Sequence, residues 1–132
     1  MLVAVIAGIA GVVSIRKRAE SARAAQQAIE ARAAKAAELM SAASMSAYFG
    51  KYGTDPKGAA ERVTELYRQA CDLGNWQGCY NLAERYALGL GVAQDLARAA
   101  TLYHNACDQP QGYGCEDLKR LLCKSNSIGG CP

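Results

Sequence analysis

Histidine, tryptophan and phenylalanine occur once each in this chain, and proline three times in 132 residues. The single histidine, His104, argues against a metal centre, which would draw on more than one imidazole or on closely spaced cysteine pairs. It stands between Tyr103 and Asn105 on the polar side of its expected helix and reads as a surface side chain. No Ser-x-x-Lys, Gly-x-Ser-x-Gly or metal-ligand motif occurs, so no nucleophile can be set beside a base. The expectation is no catalytic residue, no metal, no cofactor and no small-molecule substrate.

Charge is missing in two places. Residues 1–15, MLVAVIAGIAGVVSI, carry no charged side chain. Outside residues 16–38 there is no net charge, because nine basic and nine acidic residues cancel. The whole +3 sits in residues 16–38, with Arg16, Lys17, Arg18, Arg23, Arg32 and Lys35 against Glu20, Glu30 and Glu38. Nucleic-acid binding would need basic charge spread over a surface. A cationic cluster after an apolar run instead fits a membrane-flanking segment.

Residues 1–15 would rise about 22 Å as a helix, against roughly 30 Å of bilayer hydrocarbon. Snorkelling of Arg16, Lys17 and Arg18 and local thinning could absorb the shortfall. A signal peptide would carry its positive charge before the apolar run, whereas here the charge follows it. The expectation is one uncleaved anchor helix in contact with the bilayer. Ala4/Gly8 and Ala7/Gly11 are partner-contact candidates, since small residues four apart let helices approach in lipid. The high Ala and Gly content of membrane helices explains them equally well.

Residues 16–47 contain neither glycine nor proline and are dominated by alanine, which loses least on helix formation. One uninterrupted helix is expected over 16–50, continuing the anchor and ending near Tyr48–Gly50. Ala22, Ala25, Ile29, Ala36, Leu39 and Ala43 form a thin apolar stripe broken at Arg32. Such a stripe suits packing on another helix better than building its own core.

Residues 51–132 contain a stretch that occurs twice. YRQACDLGNWQGCYNL (67–82) and YHNACDQPQGYGCEDL (103–118) hold register at a spacing of thirty-six. The matches are Arg62/Arg98, Leu66/Leu102, Tyr67/Tyr103, Ala70/Ala106, Cys71/Cys107, Asp72/Asp108, Gly78/Gly114, Cys79/Cys115 and Leu82/Leu118. A period in the thirties marks stacked helical hairpins. Helices are expected over 59–72, 76–88, 96–108 and 113–124. Gly74 is the expected stop of the first, and Asp95 the expected N-cap of the third. Asp72 and Asp108 are explained by capping or turn roles.

Leu66, Tyr67, Ala70, Cys71, Gly74, Gly78, Cys79, Leu82, Tyr86, Gly89, Gly91, Val92 and Asp95 together resemble the Sel-one-like repeat. The cysteine pair is most similar to the Hcp, or cysteine-rich, branch of that tetratricopeptide-related family. The resemblance covers residues 59–122 and implies a short α/α solenoid; with the anchor and rod read from residues 1–50, the expectation is an all-α fold, a short α/α solenoid with a long N-terminal helix that is partly transmembrane. The second copy departs from it at Gln109–Gly112, where Pro110 enters the turn, and at Leu122, which replaces Tyr86. The end of the long helix, around Tyr48, could supply a third packing helix.

Cys71/Cys79, Cys107/Cys115 and Cys123/Cys131 each enclose seven residues. On one continuous helix such positions lie about 12 Å apart, too far for a disulfide. A turn between them would bring them together and bolt one helix to the next. Three disulfides in an oxidising compartment are expected; zinc and free thiols are the rivals. The third pair would pin the tail over the end of the stack. Trp76 and Tyr113, in the two turns, are either partner-contact anchors or covers for the neighbouring disulfides.

Related repeat proteins act through protein–protein contacts, and mitochondrial relatives with paired cysteines assist respiratory-complex assembly. The resemblance therefore implies a non-enzymatic scaffold or accessory subunit of a larger membrane complex. Its expected location is a single-pass inner-membrane protein with residues 51–132 in the periplasm or the mitochondrial intermembrane space. The alternative is a secreted or periplasmic protein with β-lactam-binding or β-lactamase activity, which has been linked to some Hcp relatives. One conflict stands inside this reading. Arg16–Lys17–Arg18 would draw the following domain toward the cytoplasm, whereas the cysteine pairs place it on the oxidising side.

Overall fold

The computed structural model describes residues 2–53, 55–110 and 112–125, with residues 2–11, 52 and 125 described by backbone alone. Among them the fold is all-α: α1 (Leu2–Tyr52), α2 (Pro56–Asp72), α3 (Trp76–Leu88), α4 (Leu96–Cys107) and α5 (Cys115–Ser125). The chain divides into two units, residues 1–32 and residues 33–132.

The first unit holds most of α1. Residues 12–32 are exposed throughout, including Val12, Val13, Ile15 and Ile29. Local bonds along the helix are those its composition allows, such as Ser21 Oγ donating to the Lys17 carbonyl at 2.9 Å. Among the described residues no helix is long and apolar enough to cross a membrane. The uncharged run is cut off by Arg16, Lys17 and Arg18, so the expected crossing is not supplied by α1 alone.

In the second unit the thin stripe is put to use. Ala36, Leu39 and Ala43 are buried on one helical face, whereas Ala22, Ala25 and Ile29 of the same expected stripe are exposed. The helix ends at Tyr52, two residues past the expected range. Gly50 is accommodated inside its last turn because a side chain there would strike Ala59, 2.4 Å from the position of a Cβ. The chain then turns into α2, where Asp55 accepts from the Gly58 amide at 2.9 Å and Pro56 opens the helix.

The remaining helices pair in chain order, α2 on α3, α3 on α4 and α4 on α5. Ala83, Ala99 and Tyr103 are buried where α3 and α4 meet, with Tyr80, Tyr86, Leu102, Leu118 and Leu121 packed around them. Val63, Ala59 and Ala70 are the buried apolar positions of α2. The expected helix at 76–88 is observed with those limits, and Asp95 caps α4 by accepting from the Arg98 amide at 3.0 Å. The helix expected over 113–124 starts instead at Cys115, because Gly112 and Gly114 take positive φ and hold the chain in a turn until then.

The segment between α3 and α4 folds back on α2. Gly91, at φ +73°, lies so close to the Ala60 carbonyl that a Cβ would stand 2.3 Å from its oxygen. Thr64 Oγ1 lies 2.9 Å from the Ala60 carbonyl and 2.8 Å from the Leu90 carbonyl, sharing its one proton between them. This lock places the α3–α4 connection beside the start of α2, at the end of the unit opposite the α2–α3 turn.

Candidate functional site

The cysteines are brought together in the two turns. Cys71 and Cys79 form a disulfide with Cα atoms 4.5 Å apart, and Cys107 and Cys115 form a second with Cα atoms 4.8 Å apart. Each joins the end of one helix to the start of the next, as the eight-residue spacing requires once a turn intervenes. Neither zinc nor free thiols describe these four positions, and no cluster of metal ligands occurs among the described residues. Cys123 is disulfide-bonded, and its expected partner Cys131 lies outside the described residues.

Gly78 and Gly114 precede the second cysteine of each pair, and the helices leave no room there for a side chain. A Cβ at Gly78 would lie 2.8 Å from Ala70 Cβ, and one at Gly114 would lie 3.2 Å from Tyr103. Sequence reasoning found both glycines by register, but not the reason for them.

Trp76 and Tyr113 do not sit independently. Their rings stack with centroids 4.5 Å apart and planes 23° from parallel, so the aromatic of one turn covers that of the next. Tyr113 is still half-exposed, leaving the outer side of the stack in solvent. Ala4, Gly8, Ala7 and Gly11 fall where α1 is described by backbone alone.

A polar cluster that the sequence did not single out joins α3, α4 and α5. The Tyr80 hydroxyl donates to Asp117 Oδ2 at 3.1 Å, and Arg120 Nη1 donates to Asp117 Oδ1 at 2.9 Å. Tyr80 and Tyr103 rings are tilted 5.6 Å apart. Glu84 lies close enough to feel both Asp117 and Tyr80; burial and the Asp117 charge raise its pKa. Burial and Glu84 push the Tyr103 phenol up to about 12 and raise Tyr80 further. The Tyr80–Asp117 hydrogen bond, with Arg120 on the same carboxylate, clasps α3 to α5. The only signal for it in the sequence was Tyr80, one residue beyond a matched cysteine.

His104 is exposed, as expected, and its Nδ1 lies 3.0 Å from Asp108 Oδ2. Asp108 also caps α4, and Asp72 accepts from Arg68 Nη1 at 2.8 Å, so both aspartates have local structural partners. Arg68 bridges Asp72 and Glu65, and its hydrogen bonds hold the Glu65 carboxyl down at about 2.

Near the α1–α2 and α3–α4 connections, at the end opposite the disulfides, apolar side chains are exposed beside charged ones such as Asp55, Arg62 and Arg98. Met45, Phe49, Leu88, Leu90 and Leu96 are all exposed. A cleft of about 420 Å³ opens between α3 and α4, lined by Leu82, Tyr86, Ala97, Arg98, Thr101 and Leu102. A second, of about 290 Å³, opens between α1 and α2 and includes Ser46, Gly50 and Arg62, each thirty-six residues before Leu82, Tyr86 and Arg98. Each arginine is tethered to an N-cap, Arg62 to Asp55 at 3.5 Å and Arg98 to Asp95 at 3.2 Å. No protein-family model, curated protein or solved structure matches the chain.

Proposed function

We propose that this chain is a non-enzymatic, membrane-anchored scaffold or accessory subunit. On this reading residues 51–132 are a short array of two Sel-one-like hairpins that holds other subunits of a membrane complex, a bioenergetic one being the setting that the resemblance implies. The observation that carries the reading is the pair of register-equivalent clefts, one lined in part by exposed Met45 and Phe49, together with exposed Leu88, Leu90 and Leu96 at the α3–α4 connection. Apolar side chains clustered at one end of a small unit are the kind of surface that a protein partner covers. The disulfides support an oxidising compartment, periplasm or intermembrane space, for this unit. The uncharged residues 1–15 support the anchor, with the bilayer thinning or the flanking cations reaching up to meet a short apolar segment.

Photo-crosslinking in native membranes tests this. A benzophenone residue placed at Phe49, Leu88 or Leu96 should give one discrete adduct with a membrane-complex subunit, whereas one at exposed Glu61 should not. If no position gives an adduct, the scaffold reading fails. Turnover of nitrocefin by the purified full chain would replace it with the β-lactam reading.

A further inference from the structure

The cations that follow the apolar run have an arrangement that their number alone does not convey. Successive residues of an α-helix are turned by about 100° around its axis. Arg16, Lys17 and Arg18 are consecutive, helical and exposed, so their side chains leave α1 in three directions spread over about 200° of its circumference. The three Cα atoms span only about 3 Å along the axis. They form a collar, one layer thick, rather than a stripe along one face.

The residues just before the collar are equally undirected. Val12, Val13 and Ile15 are exposed at 51%, 47% and 67% with Ser14 on the remaining side, and residues 2–13 of the helix are apolar or glycine at every position, so that stretch has no polar face. A partner protein offering a groove would cover one face and leave the others in water. A helix that is apolar all round needs apolar surroundings all round. A layer of cations spread over more than half of the circumference, directly above such a segment, matches the layered order of a bilayer, hydrocarbon below and phosphates above. A nucleic-acid groove would contact one side of the helix only, and it has no use for the apolar segment.

We infer that Arg16, Lys17 and Arg18 form a headgroup collar that selects anionic lipid, binding phosphate oxygens of the lipids that surround α1. The inference rests on the membrane anchor proposed above and adds to it the lipid class that the anchor prefers. Glu20 is the one nearby acid and Arg23 restores the local excess of positive charge, so residues 16–23 carry +3 in all. The collar also bears on the conflict between charge and compartment, because cations held by lipid phosphate on the side of the disulfide unit do not have to face the cytoplasm.

The test is partition of the full chain onto vesicles by co-sedimentation. One set is phosphatidylcholine alone and the other contains about a third phosphatidylglycerol, both in low salt. Near-surface cations at about 1 kcal/mol each make the triple substitution R16Q/K17Q/R18Q cost on the order of 100-fold in affinity for the anionic vesicles. The expected result is tighter binding to anionic than neutral vesicles, lost in the variant and weakened by salt. All three residues are exposed, so unchanged far-ultraviolet circular dichroism would show that the variant's helix is intact. Equal binding of wild type and variant to both vesicles overturns the collar while leaving the anchor standing. No binding to either vesicle overturns the anchor as well. Tighter binding of the same cations to a duplex DNA oligonucleotide than to anionic vesicles would also overturn the lipid assignment.

Discussion

The two disulfide-linked hairpins, α2–α3 and α4–α5, solve one problem by different turns. In the first, Gly74 at φ +86° stops α2, and Asn75 then caps α3, its side chain accepting from the Gly78 amide at 2.8 Å. In consequence α3 is already helical three residues before Cys79. In the second, Pro110, Gly112 and Gly114 carry the chain around and α5 begins only at Cys115. Yet the Cα separations across the two bridges are 4.5 and 4.8 Å. What is common is the cysteine spacing and the glycine before the second cysteine. The path between them is free to vary.

The strongest way to break that equivalence is to remove the bridges. Closing a loop of this length stabilises by about 2.5 kcal/mol in the chain-entropy description. C71S/C79S and C107S/C115S should therefore lower unfolding free energy by similar amounts in urea titrations. A difference of more than about 1 kcal/mol between the two would mean that the turns contribute unequally once unclamped.

The glycines come next. Gly114→Ala imposes both a positive φ and a contact with Tyr103, whereas Gly78→Ala imposes only the contact with Ala70 and Cys71. Each should cost about 1–3 kcal/mol, with Gly114 the more sensitive. Thermal melts of the two variants would rank them. Asn75→Ala should cost about 1 kcal/mol through loss of the cap.

The Trp76–Tyr113 stack ties the two turns together. A double-mutant cycle with Trp76→Leu and Tyr113→Leu should show coupling of about 0.5–1.5 kcal/mol. Because Trp76 is the only tryptophan, Tyr113→Leu should also change its fluorescence without unfolding the chain.

The smallest expected effect is acid–base. Glu84 has a raised folded-state pKa, so its contribution is fully present below the ordinary carboxylate value of 4.5 and is lost as pH rises through the raised value. Glu84→Gln should therefore stabilise the protein at neutral pH, by under about 1 kcal/mol. Glu65 has the opposite sign: its contribution is present above 4.5 and lost as pH falls toward about 2. Urea midpoints of E84Q and E65Q from pH 7 to pH 3 should diverge in these two windows.

The periodic elements were legible because hydrophobic spacing and caps act locally. The limits of α3 and the Asp95 cap follow from neighbours a turn away, while burial of Ala36, Leu39 and Ala43 but not of Ala22, Ala25 and Ile29 on the same stripe depends on packing that spacing alone does not set. The two described bridges were legible because an exact repeat of spacing leaves few geometries that close. The start of α5 was not, since positive φ at Gly112 and Gly114 replaces helix with turn in a segment whose composition alone allows either. Nor was the ring stack, nor the Tyr80–Asp117 clasp. Both join residues thirty-seven positions apart across helices, and neither has a periodic signal of its own. The apolar run of α1 ends at Arg16, and among the described residues no helix is long and apolar enough to cross a membrane.

Bridges between sequence neighbours have a consequence for biosynthesis. Six cysteines can be joined in fifteen ways. In the two described bridges each partner is only eight residues from the other, and such short segments close on a timescale of about 10–100 ns. Emerging residues meet at about 5–20 per second, so Cys71 and Cys79 are together well before Cys107 leaves the ribosome or translocation pore. The first hairpin can be oxidised and finished while the second is still being delivered. The short separations favour the local pairings, Cys71 with Cys79 and Cys107 with Cys115, over long-range ones.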